Sequence, residues 1–398
     1  MALILFMAPL RSPATLGRIS ALSATGYPLS VVDLGVESAV PQQCYPFSEI
    51  NEIIPLELGK IDPFYSSKGK LALCLDVLKS AGIFPENRAL GGHIEEILDR
   101  TEPCVVVTYF GPVAIRYARL VKKLRPGLPV VCIFGALPST IELSSGLTKY
   151  LKRALYPEYN DYRFWFKKLD GLVYTSVEMK DFASRKFGLT DTPSIICPDF
   201  LPKTFQPTNH HKDVIELGTH KPNLIFLGAP ERWGTIIDSI DDQFMELAMA
   251  GVNIYSGTMR EDVIATGYGH IYPRFSDIEV YTGHLAKYAS GFDAALITYN
   301  VRSRHERFRS TFPTRFSTAL SAGVPIVIKK GIFDACERFV RENEIGYAYE
   351  SVDDLVAVLA DKDRIEDYRH ACINIRDEIS AESQGDQLRG FLTRVIQG

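Results

Sequence analysis

The sequence predicts an α/β protein built from two doubly wound, Rossmann-like domains facing a cleft. Apolar, β-rich runs alternate with amphipathic helical stretches from residue 1 onward, and strands that are apolar throughout belong to parallel sheets covered on both faces. The alternation lapses over residues 198–222, which are rich in Pro, polar and charged residues, and then resumes. The length, 398 residues, exceeds what one compact core takes up.

The first strand is ALILFM (2–7), followed by a helix, LGRISALSATG, that stops at Gly26. PLSVVDL (28–34), PCVVVTYF (103–110), PVVCIFG (129–135), GLVYTSV (171–177) and SIIC (194–197) continue the series. VAIRYARLVKKL and MKDFASRKFG are the helices between them. The second series reads NLIFLG (223–228), VNIYSG (252–257), FDAALITY (292–299), VPIVIK (324–329) and GYAY (346–349). DLVAVLAD and QLRGFLTRVI are amphipathic helices near its end. The predicted domains are therefore 1–205 and 206–375, with 376–398 a terminal helix able to cross back to the first.

Composition narrows the class. Hydrophobic residues make up 46% and charged residues 23%, ordinary for a globular protein, and the net charge of −4 marks no nucleic-acid binder. Seven scattered cysteines without a CxxC pair predict reduced, buried thiols and a cytoplasmic protein with no metal site. No run reaches the roughly 18 apolar residues of a membrane span. Residues 149–168 interleave basic with aromatic side chains, either as an amphipathic helix on the first sheet or as a peripheral membrane contact.

Two facing α/β domains are shared by dehydrogenases, periplasmic binding proteins and nucleotide-sugar glycosyltransferases. Neither APLRSPATLG nor APERWG fits the dinucleotide fingerprint GxGxxG, and no phosphate loop of the GxxxxGK[ST] type occurs. An export signal is also missing. The stretch FDAALITYNVRSRHERFRSTFPTRFSTALSAGVPIVI instead runs strand, basic loop, helix, strand. Its loop holds Arg302, Arg304, Arg307, Arg309 and Arg315, with Glu306 its one acid. Pro313 stands at or near the helix start and Gly323 at its end. Free amides around residues 312–315 and arginine forks suit a pyrophosphate; a solvated charged loop is the plain alternative.

PTRFSTALSAGVPIV resembles the donor-site helix of GT-B glycosyltransferases, the GT4-like group in particular. SPATLGRISALSATGYPLSVVDL, KLDGLVYTSVEMKDFASRKFG, PNLIFLGAPERW and VYTGHLAKYASGFDAALITYN resemble further segments of that family in the same order. The resemblance implies a metal-independent enzyme with no cofactor, whose second domain binds a UDP- or GDP-linked sugar and whose first binds a glycan, lipid-linked or small-molecule acceptor. It implies donor or phosphate contacts from Gly228, Arg232, Gly257, Tyr299, Arg302, Pro313, Thr314, Arg315 and Thr318, and acceptor contacts from Arg18 and Tyr109.

The match departs from the family at three places. Thr318 stands where a glutamate grips the ribose, Ser310 where a second glutamate lies near the sugar, and Phe134 or Gly135 where a histidine is common. Glu306 is the remaining candidate for a catalytic carboxylate. Family resemblance favours retention of configuration, and loss of both glutamates leaves stereochemistry open. A catalytically silent binding module and a nucleotide-sugar epimerase are the alternatives.

Overall fold

The computed structural model describes residues 3–10, 13–34, 50–56, 88–109, 111–135, 166–208, 221–228, 237–301 and 306–398. The chain divides into two compact units, Met1–Pro198 with Gln384–Gly398, and Asp199–Ser383.

The first unit holds β1 (Ile4–Ala8), β2 (Leu29–Asp33), β3 (Ile50–Pro55), β4 (Val105–Tyr109), β5 (Val130–Phe134), β6 (Gly171–Tyr174) and β7 (Ser194–Ile196). Their order is β3-β2-β1-β4-β5-β6-β7, every pair parallel. β1, β2, β4 and β5 are buried along their whole length, as their mainly apolar sequences lead one to expect, with Ser30, Asp33 and Thr108 buried among them. Helices α1 (Pro13–Ser23), α2 (Arg88–Thr101), α3 (Gly111–Leu124) and α4 (Val177–Phe187) alternate with them. Leu90, Ile94, Ile97 and Leu98 of α2 join Ala118 and Val121 of α3 in one core with Met7, Val106 and Cys132. Ser176 caps α4 by accepting from the Met179 amide, and Gly188 ends it in the left-handed conformation.

The second unit holds β8 (Asn223–Phe226), β9 (Ile237–Asp238), β10 (Asn253–Ser256), β11 (Gly269–Ile271), β12 (Ala294–Ile297), β13 (Asn300–Val301), β14 (Ile326–Lys329) and β15 (Gly346–Tyr349). Its main sheet runs β11-β10-β8-β12-β14-β15, all parallel, while β9 and β13 form a small antiparallel pair. The longer helices are α5 (Asp241–Met249), α6 (Thr314–Ala322), α7 (Asp334–Glu342), α8 (Val352–Ala360) and α9 (Lys362–Ile375). In both sheets the chain starts in the middle, works to one side, and then reverses. The reversal falls between β1 and β4 in one sheet and between β8 and β12 in the other. Such reversal points, at the carboxyl ends of the strands, are where doubly wound folds bind ligands.

The last helix, α10 (Gly385–Gln397), belongs to the first unit. Phe391 and Val395 press on Gly171, where a Cβ would lie 2.7 Å from the Phe391 ring, so only glycine admits the helix at that distance. The Tyr27 and Thr393 hydroxyls are 2.8 Å apart, and the Arg389 guanidinium donates to the Thr25 carbonyl. Of the Pro-rich stretch, residues 198–208 are described and are far from loose. Phe200, Leu201 and Phe205 are buried, and Phe200 packs edge-on against Phe339 of α7. No helix among the described residues is long and apolar enough to cross a membrane.

Candidate functional site

α6 forms because Pro313, at φ −66°, stands at its N-cap with a conformation proline already prefers. Gly323, at φ +69°, closes it, and its amide donates to the Ala319 and Leu320 carbonyls. Phe316 through Ala322 are buried, fixing the helix against the sheet. Pro313 offers no side-chain cap and no acid occupies the first turn, so the helix does not itself compensate the positive end of its dipole.

From that end Arg315 reaches back over the strand ends of β8 and β12. Its guanidinium carbon stands 4.3 Å from the centre of the Phe226 ring and 4.6 Å from that of Tyr299. The planar cation is thus held between two aromatic faces, a favourable quadrupole contact. Gly228, at φ +136°, follows β8, and a Cβ there would lie 3.3 Å from Nη2, so glycine serves both the backbone angle and the close approach. Nη1 is enclosed, and no hydrogen-bond partner among the described residues reaches it. No carboxylate among the described residues pairs with this arginine. Burial lowers its pKa, opposed by Tyr299 and Tyr272, but an arginine stays charged. An enclosed, charged donor left without an acceptor costs about 1–3 kcal/mol or more, which an anion would recover.

The floor of the site is a set of glycine contacts. The Gly228 carbonyl accepts from the Gly257 amide at 3.1 Å and from the Ser256 hydroxyl at 3.1 Å. The Gly228 amide donates to the Tyr272 hydroxyl at 3.0 Å. Tyr272 follows β11, is nearly buried, and keeps a raised pKa through burial, so its phenol is protonated. Gly228, Gly257, Tyr299, Pro313, Thr314 and Arg315 therefore come from one region of the second unit, at the reversal of its strand order.

The remaining sequence candidates divide. Arg232 and Arg302 lie outside the described residues, as does the side chain of Glu306, which opens a short helix, Glu306–Ser310. Thr318 is buried and its hydroxyl donates to the Thr314 carbonyl of its own helix at 2.9 Å. Of the arginine run, Arg309 is bound to Asp334 at 2.6 Å. Arg18 is 2% exposed, which makes it part of the first unit's interior: it donates to the Cys197 sulfur at 2.9 Å and carbonyl at 2.6 Å and lies over the Tyr109 ring. Tyr109 is likewise buried and stacks on Phe6. Of residues 149–168, only the turn Phe166–Lys168 is described, with Phe166 in the core. Sequence reading missed Tyr272, which follows an edge strand too short to show a pattern and whose partner Gly228 lies 44 residues away.

The fold has solved counterparts along its whole length. A UDP-forming α,α-trehalose-phosphate synthase from Burkholderia vietnamiensis aligns over 100% of both chains, with TM-score 0.57 and 10% identity. The chain has the GT-B fold. The lipopolysaccharide outer core galactosyltransferase WaaB aligns over 99% of both chains at TM-score 0.53 and 11% identity. The UDP-GlcNAc 2-epimerase of Methanocaldococcus jannaschii, solved with UDP-GlcNAc and UDP, aligns over 99% of this chain and 100% of its own at TM-score 0.51 and 11% identity. At these identities the likeness is one of fold. No protein-family model matches the chain, and no curated protein matches it in sequence.

Proposed function

We propose that the protein is a glycosyltransferase of the GT4-like group that takes a sugar from a nucleoside-diphosphate donor, with the diphosphate held at the amino end of α6. The observation that carries this reading is Arg315: a cation clamped between Phe226 and Tyr299 at the strand reversal, with an enclosed nitrogen that has no acceptor. A leaving diphosphate supplies two negative groups, one for the guanidinium and one for the uncapped amides of the helix. Both donors are fixed before the bond to the sugar breaks, so charge appearing on the leaving oxygen meets dipoles that need no reorganisation. That role asks for no metal.

Arg232 and Arg302 would add positive charge from the flanking loops, and Glu306 would supply the carboxylate that Ser310 and Thr318 lack. The acceptor is a glycan or a lipid-linked or small molecule, and it would bind to the first unit. Five described cysteines are all free thiols, which supports action in the cytoplasm. The UDP-GlcNAc 2-epimerase of the same fold supports a second reading, inversion at C2 of the donor sugar.

The test is incubation of the protein with a panel of UDP- and GDP-sugars, following nucleoside diphosphate release and the sugar by NMR. Slow release of free diphosphate is the expected result. A C2-inverted nucleotide sugar would establish the epimerase instead. Absence of any nucleotide-induced change in melting temperature would leave a silent GT-B module.

A further inference from the structure

Tyr272 is the second group at this site with an unspent proton. Its backbone amide donates to the Ser256 carbonyl at 3.0 Å, which sets the residue at the strand ends. Its ring packs against Phe275 and Tyr288, with centroids 6.3 and 6.0 Å away. The phenolic oxygen accepts from the Gly228 amide at 3.0 Å. A Cβ on Gly257 would lie 3.2 Å from that oxygen, so the glycine leaves the phenol its place. A phenol has one proton to give and can accept as well. Here the accepting side is used, and no acceptor among the described residues takes the proton. Gly228 is thus a neighbour of both groups, the Arg315 guanidinium close to its Cα and the Tyr272 hydroxyl on its amide.

We propose that Tyr272 contacts the ligand, its O–H donating to an oxygen of the same diphosphate that Arg315 binds. The inference rests on the diphosphate reading above and adds a residue to it. A purely architectural tyrosine would need only the bond it accepts from Gly228. A ligand-binding one also needs a free donor beside the cation, and that is what the geometry provides. The polarity is consistent along the chain of bonds: the Gly228 N–H donates to the phenol oxygen, which strengthens the phenol as a donor to an anion. Burial keeps the proton on the oxygen, so the group stays a donor at neutral pH.

The variant Tyr272→Phe keeps the ring and removes the donor. Titration with UDP and with inorganic pyrophosphate should show affinity lower by about tenfold for both, as expected for one charge-assisted hydrogen bond. Losing the acceptor of the Gly228 amide should also lower the unliganded melting temperature by a few degrees, so affinity is read on the folded protein. Ultraviolet difference spectra give an independent reading on folded protein with Tyr272 in place. In a Tyr299→Phe background, saturating pyrophosphate should perturb the phenol band. Unchanged or tighter binding by Tyr272→Phe would overturn the inference, because the phenol would then be a mere occupant of the Gly228 amide. A silent difference spectrum would overturn it equally. If Arg315→Met loses binding while Tyr272→Phe does not, only the tyrosine's role falls. If neither variant alters binding, the diphosphate site itself falls.

Discussion

Each unit carries a buried arginine against an aromatic residue at a strand end, and the two are used differently. Arg18 lies over Tyr109 and gives its protons to the Cys197 carbonyl and sulfur, while the Cys197 thiol donates in turn to Gln384. Gln384 also donates to the Pro198 carbonyl at 3.1 Å. The charge therefore ties α1 to the two points where the chain leaves and re-enters the first unit. Arg315 lies between Phe226 and Tyr299 with no such carbonyl, and one nitrogen is left over. The same residue type at comparable places serves structure where its donors are met and is open to a ligand where they are not. Buried polar groups are almost always satisfied, so an enclosed nitrogen without a partner, placed at a strand reversal, is informative.

This comparison breaks most visibly at Arg18. Arg18→Met should destabilise the protein by about 3 kcal/mol, since it removes two charge-assisted hydrogen bonds and leaves the Cys197 carbonyl buried without its donor. Urea unfolding measures the loss, and UDP affinity of the folded fraction should stay as in the wild type. Arg315→Met should do the opposite. Stability holds or rises slightly, because an unsatisfied enclosed charge is replaced by a thioether that fits between the rings. UDP affinity, read by calorimetry, should fall about a hundredfold, the equivalent of one or two bonds to a charged group. A stability loss at Arg315 as large as that at Arg18 would mean that the two arginines are alike and that the donor site lies elsewhere.

How far this contrast was legible in the sequence depends on what fixes each part. The strands β1, β4, β8 and β12 could be read because burial on both faces demands unbroken apolar runs. β3 could not: INEIIP is partly exposed along most of its length and carries a carboxylate, as suits the edge of a sheet. β11 is the edge of the other sheet, three residues long with His270 and Ile271 partly or fully open, and gave no pattern either. α6 was legible from its punctuation, Pro313 and Gly323, which act through local backbone angles. Arg18 and Arg315 look alike in sequence, and only the distant partners Cys197 and Gln384 separate them. Tyr272 is invisible for the same reason: its meaning comes from Gly228, 44 residues away.

Gly228→Ala sharpens the comparison at a smaller scale. A φ of +136° is strained for any residue with a Cβ, and the new methyl would meet the guanidinium at 3.3 Å. The expected cost is about 1–3 kcal/mol of stability, with UDP affinity falling about tenfold as Arg315 is displaced. Loss of stability with affinity intact would show that the guanidinium can shift without harm.

Thr318→Val carries the smallest effect and separates two uses of one hydroxyl. The Thr318 proton goes to the Thr314 carbonyl, one turn earlier in α6, so toward a ribose the oxygen could act only as an acceptor. Valine preserves shape and removes a bond that a helix carbonyl, already engaged in the ladder, does not require. UDP affinity should therefore change by no more than about twofold and stability by about 1 kcal/mol or less. A tenfold loss for UDP with none for inorganic pyrophosphate would locate the ribose at this hydroxyl. It would also make α6 a binder of both halves of the nucleotide, with the charged part at its amino end and the sugar one turn further along.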